Sequence, residues 1–152
     1  ASPSASPTRP CPNEYFANKN ELSTAVNAYI GQGCATNSNC AIGQTYGWPI
    51  GTWCVGDVTD MSELFAGAST FNGDISGWDV SDVTTMEGAF TFANAFTVDI
   101  SSWDVSSVTS MDWMFRGGGD SGRGSVLAIV IMLGVIPILL CTLYKHRQEQ
   151  NI

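Results

Sequence analysis

Hydrophobic positions between residues 58 and 115 recur at one fixed spacing. The stretch VTDMSELFAGASTFNGDISGWDVSD (58–82) aligns without a gap on VTTMEGAFTFANAFTVDISSWDVSS (83–107), and VTSMDWMF (108–115) begins a third line, so the offset is 25 residues. Val58, Val83 and Val108 share a column, as do Met61, Met86 and Met111, and Phe65, Phe90 and Phe115. Ile75 pairs with Ile100 and Trp78 with Trp103, and Trp53 and Val55 stand where Trp78 and Val80 stand one period later. A period in the 20s predicts a solenoid, in which each coil buries its apolar face against its neighbours. Within each unit, Met61, Phe65 and Ala68 are spaced i, i+4, i+7, which predicts a short helix. Trp78 and Val80 alternate, which predicts a short strand. Coils stacked about 4.8 Å apart would pair such strands in a parallel ladder.

The flanks have different patterns. Residues 1–17 open with ASPSASPTRP, a Pro/Ser-rich arm without the charged and apolar regions of a signal peptide. Residues 18–57 begin with a helix: Leu22, Val26, Tyr29 and Ile30 form an apolar face, Asn18 or Asn20 is the N-cap, and Gly31 and Gly33 end it. With the cysteine-rich loop that follows, this helix is expected to cap the first of the repeats at 58–115. The segment RGGGDSGRG (116–124) holds five glycines in nine residues and has the composition of a linker. Residues 125–144 carry an uncharged apolar run long enough to cross a bilayer as one transmembrane helix. Tyr144 then falls at the membrane interface, and Lys145 and Arg147 in the tail 145–152 place that tail in the cytosol, or in the stroma of a plastid, with the repeats on the opposite side.

Charge narrows the functions. Charged residues make up 13% of the chain, and the formal net charge is −8. From Asp57 to Asp112 there are ten acids and no Lys or Arg, a surface that repels nucleic acid and suits a cationic partner. The Asp residues recur with the repeat, as turn-capping residues would. A calcium site at the stacked pairs Asp74/Asp99 and Asp79/Asp104 is the alternative. The one His, His146, lies beyond the apolar run, which removes Ser–His–Asp and Cys–His catalysis from the rest of the chain. No enzyme, no cofactor and no metal centre is expected. Cys11, Cys34, Cys40 and Cys54 suggest two disulfides, with three possible connectivities; the favoured one is Cys34–Cys40, a local loop, with Cys11–Cys54 tying the arm to the first coil.

The phrases MSELFAGASTFNGDISGWDVSDVTTM and FTVDISSWDVSSVTSMDWMF resemble the BspA-like leucine-rich repeats, the surface-protein repeats also called DUF285. The segment leading into them is similar to that of algal members. The resemblance covers roughly residues 20–115. It implies a short leucine-rich-repeat-like α/β solenoid that binds other proteins, and no reaction. Function is then expected at the departures from the repeat. Phe92 replaces Gly67, Val98 replaces Gly73, and Trp113 stands where Glu63 and Gly88 stood; with Phe115, after which the array breaks, these are the candidate interaction residues. The leading expectation is a non-catalytic accessory subunit of a larger membrane complex, contacting other membrane-protein subunits. By analogy with algal relatives, its specific form is a thylakoid photosystem–antenna complex with the repeats in the lumen. A cell-surface adhesin or receptor-like protein is the second reading.

Overall fold

The computed structural model describes residue 11 and residues 14–117. Two helices precede the repeats: α1, Lys19–Gly31, and α2, Ala41–Tyr46, followed by a single 3-10 turn at Ile50–Thr52. α1 starts where local chemistry dictates. The Asn18 side chain accepts a hydrogen bond from the Glu21 N–H (3.1 Å), and Glu21 reaches back to accept one from the Ala17 N–H (2.9 Å). Two otherwise orphaned donors are thereby satisfied. Just past the helix end, Gly33, with φ of 65°, lets the chain turn while the Cys34 N–H donates to Tyr29 O. Leu22, Ala25, Val26 and Tyr29 form the buried face of α1.

That face, with Phe16, covers the first tryptophan of the array. Phe16 stacks on Tyr46 at 4.3 Å and lies 5.3 Å from Trp53, and Tyr29 meets Trp53 edge-on at 5.5 Å. From Trp53 the core continues as columns of equivalent residues. Trp53 and Trp78 stack at 6.5 Å, Phe65, Phe90 and Phe115 at 5.2 Å per step, and Phe71 and Phe96 at 6.2 Å. Each indole also donates backward. Trp53 Nε1–H bonds to Gly47 O, Trp78 to Ile50 O and Trp103 to Ile75 O, at 2.8, 2.9 and 3.1 Å. A buried indole needs such an acceptor, and these carbonyls fix each tryptophan against the preceding turn. Ile50, Ile75 and Ile100 make one further buried column, and Leu64, Ala89 and Met114 another.

The backbone between the columns overturns the expected solenoid. Among the described residues there is no strand, hence no parallel strand ladder; isolated parallel bridges join Tyr15 to Cys54, Asp60 to Thr85 and Thr85 to Ser110. The segments expected as strands are consumed by turns. Trp78 N–H closes on Ile75 O and Val83 N–H on Val80 O, while Ser76 and Ser81 N–H groups go to the carboxylates of Asp74 and Asp79. Too few free N–H groups are left in register to build a ladder.

The short helices at 61–68 and 86–93 are absent as well. N–H groups of Met61, Glu63, Phe65 and Gly67 donate to Thr85, Glu87, Ala89 and Thr91 in the next unit, whereas those of Leu64, Ala66 and Ala68 donate three residues back. Residues 86–93 repeat this alternation toward residues 110–116. The cause is backbone handedness. Glu63, Gly88 and Trp113 have φ of 57°, 63° and 61°, and Gly67, Phe92 and Gly117 have 74°, 57° and 66°. A left-handed residue at every fourth position stops a right-handed helix and turns alternate N–H groups toward the neighbouring unit. Arg116 and Gly117, read from composition as the start of the linker, continue this register by two residues. The apolar run at 125–144, with Tyr144, Lys145 and Arg147, lies outside the described residues. Among those described, no helix is long and apolar enough to cross a membrane.

Candidate functional site

Both disulfides form as favoured from sequence. Cys11–Cys54 spans a Cα–Cα distance of 5.9 Å and Cys34–Cys40 one of 5.6 Å, each within the usual range. Cys54 occupies the column of Asp79 and Asp104, so a cross-link stands where the repeats otherwise place a turn-capping carboxylate.

The four candidate interaction residues separate. Phe115 is buried, 4% exposed and stacked on Phe90, and belongs to the core. Val98 is half-buried and packs against the same core. Phe92 is 52% exposed and Trp113 half-buried, and the two lie on hydrogen-bonded turns of neighbouring units. The Phe92 N–H donates to Arg116 O at 2.8 Å, and the hydroxyl of Thr91 donates to Trp113 O at 2.8 Å. The Phe92 ring lies directly over the α-carbon of Gly117, so that any Cβ there would collide with it. Arg116 folds back over the Trp113 indole, 4.8 Å from the ring centroid.

Both aromatics hold left-handed backbone, which disfavours a side chain by about 1–2 kcal/mol. Glycine is the residue such a position favours, and it stands at Gly67 and Gly117 on either side of Phe92 and at Gly88 beside Trp113. Arg116 is the member of this patch that the sequence did not flag. The glycines of neighbouring units were the available signal, because they mark columns where the turn runs left-handed.

The recurrent acids cap turns. Asp60, Asp74, Asp79, Asp99 and Asp104 each accept a hydrogen bond from the N–H of the serine two residues on, at 2.7–3.2 Å. Among the described residues, no three His, Cys, Asp or Glu side chains converge as a metal-binding group. The hydroxyl and N–H of Ser76 hold Asp74 below the usual carboxylate range. The N–H of Ser101 with its hydroxyl does so for Asp99, and the hydroxyl of Ser106 with its N–H for Asp104. At Asp60, burial pushes upward, but Ser62 and Lys19 outweigh it and the net shift is again downward. A folded-state value below the unfolded one contributes stability that is present above the unfolded value and lost as pH falls through the folded one. The melting temperature should therefore hold between pH 7 and 5 and fall below about pH 4. Thermal melts from pH 7 to 2 check this, and a melting temperature that rises on acidification would contradict it.

The described residues thus form a repeat protein of 25-residue units, joined by backbone hydrogen bonds at one-unit spacing and capped by a helix. The chain belongs to the family described as "Mycoplasma protein of unknown function, DUF285", whose match covers residues 37–120. It is also 53% identical over 39 residues to the alpha-glucoside transport system permease protein AglF of Rhizobium meliloti (strain 1021). That match covers 26% of this chain and spans 12% of the length of that protein. No solved structure matches. The comparisons support the repeat family; an algal affiliation, and the thylakoid and photosystem assignment built on it, find no support in them.

Proposed function

We propose that this chain is a non-catalytic, membrane-anchored subunit whose repeats bind a partner protein through the Phe92–Trp113 face. The observation that carries this reading is the pairing of exposure with strain at Phe92. A half-exposed phenylalanine at a left-handed position flanked by glycine columns is disfavoured by folding alone. Such outliers cluster where a surface is used. The uncharged run 126–144, followed by Lys145 and Arg147, supplies the anchor and sets the repeats on the side of the membrane away from the basic tail. The two disulfides accord with an oxidising compartment there.

A photo-crosslinking residue at position 92 of the full chain, in its native membrane, should capture a second polypeptide, and the same group at exposed Ser107 should not. Equal capture at both positions, or none at 92, would end this reading. Phe92→Gly is the companion test. Relief of about 1–2 kcal/mol of strain roughly offsets the lost contact of a half-buried ring. The variant should therefore keep its stability to within about 1 kcal/mol in thermal melts while losing the crosslinked partner from pull-downs.

A further inference from the structure

We infer that the Phe92–Trp113 face takes an arginine-bearing basic segment of its partner; this rests on the partner-binding reading above and names the chemistry of what binds. The face already holds one guanidinium. Arg116 lies 4.8 Å from the centroid of Trp113, the stacked arrangement in which a planar cation meets the negative face of an aromatic ring. Phe92 offers a second ring, 52% exposed, on the neighbouring turn, its N–H bonded to Arg116 O and its ring over Gly117.

The surroundings are acidic. Glu63, Glu87 and Asp112 are all exposed on the same turns. The Glu63 side chain leans over Gly88, its Cγ 3.4 Å from where a Cβ on Gly88 would stand, and Gly88 is the residue between Glu63 and Trp113 in their column. One column therefore presents a carboxylate at one end and an indole at the other, with Phe92 alongside. Lys19 and Arg116 are the basic residues from 14 to 117, against ten acids between Asp57 and Asp112. An acidic segment would meet that field unfavourably, whereas a basic one is steered toward it. Arginine is favoured over lysine because its flat, weakly hydrated head both stacks on rings and forks onto carboxylates.

The test uses the full chain in detergent and three labelled twelve-residue peptides, in which glycine alternates with arginine, lysine or glutamine. Fluorescence anisotropy at low salt should show the arginine peptide binding several-fold more tightly than the lysine peptide, and the glutamine peptide not binding. Phe92→Gly should weaken the arginine peptide roughly tenfold, the scale of losing an aromatic anchor. Arg116→Gln, an exposed substitution that spares the fold, should tighten it by about two- to fivefold, because the resident guanidinium leaves the Trp113 face. Equal binding of the arginine and lysine peptides would overturn the proposal, as would weaker binding by Arg116→Gln or unchanged binding by Phe92→Gly. A polypeptide crosslinked at position 92 without any arginine preference would sink the basic-segment inference and leave partner binding standing. Failure to crosslink at 92 removes partner binding itself.

Discussion

Replacing Phe90 with alanine should destabilise the protein by about 3–5 kcal/mol, the range for truncating a fully packed aromatic. Phe90 is 2% exposed and sits in the middle unit, where four rings converge on it: Phe96 at 4.3 Å, Phe65 and Phe115 at 5.2 Å, and Trp103 at 6.4 Å. The cavity would open both within the unit, toward Phe96 and Trp103, and between units, toward Phe65 and Phe115. The backbone around it is tied on one side, through Phe90 N–H to Met114 O, and closed on the other by Ala93 N–H to Phe90 O. Little relaxation is available, so the loss should fall in the upper part of the range. Native stabilities are typically about 5–15 kcal/mol, and such a change removes a large share of that. Urea unfolding followed by tryptophan fluorescence measures it directly. A loss under about 1.5 kcal/mol would mean that the phenylalanine column is not what joins the units. A double-mutant cycle with Phe65→Ala should show coupling of about 0.5–1.5 kcal/mol, as stacked rings do.

The columns that make Phe90 central were legible in the sequence because burial repeats whenever the chain repeats. Val58, Met61, Phe65, Ile75, Trp78 and Val80 all face inward, as their 25-residue spacing implies. The capping helix was legible too, since Asn18 and the glycines after Ile30 act locally. The backbone between the columns was not. Spacing of i, i+4, i+7 reports which side chains share a face, and a right-handed helix is one way to achieve it. A turn with left-handed residues at 63 and 67 puts Met61, Phe65 and Ala68 on the same face while sending alternate N–H groups to the next unit. The sign of φ leaves its trace only in glycine, and here the trace is broken by Glu63, Phe92 and Trp113. The exposed half of the candidate site lies at those breaks, so the residues that hid the geometry are also the ones that mark the surface. Phe115 was misplaced for the opposite reason. Read as the last residue before a missing coil, it was expected at an interface, whereas its column mates Phe65 and Phe90 already required it inside.

Removing Cys11–Cys54 should cost about 4 kcal/mol, and removing Cys34–Cys40 about 2 kcal/mol, if closure of the unfolded chain sets the scale. The sequence separations are 43 and 6 residues, and the longer loop restrains more of the unfolded ensemble. The native state reinforces the difference. Cys54 is buried, its carbonyl accepts the Phe16 N–H at 3.3 Å, and Tyr15 forms a parallel bridge to it. The cross-link therefore holds Phe16, fully buried, against Tyr46 and Trp53, where the tryptophan column begins. Cys34–Cys40 closes a six-residue step between α1 and α2 that α1 already braces through Cys34 N–H to Tyr29 O. Paired Cys→Ala variants, compared by urea unfolding with and without reductant, separate the two contributions. Reductant should bring the wild type near a chain lacking both bridges and should not alter that chain. If the short-loop variant proved the more damaged, the restraint on Phe16 and the first tryptophan would have to come from the helix alone, and the arm before Glu14 would be dispensable to the fold.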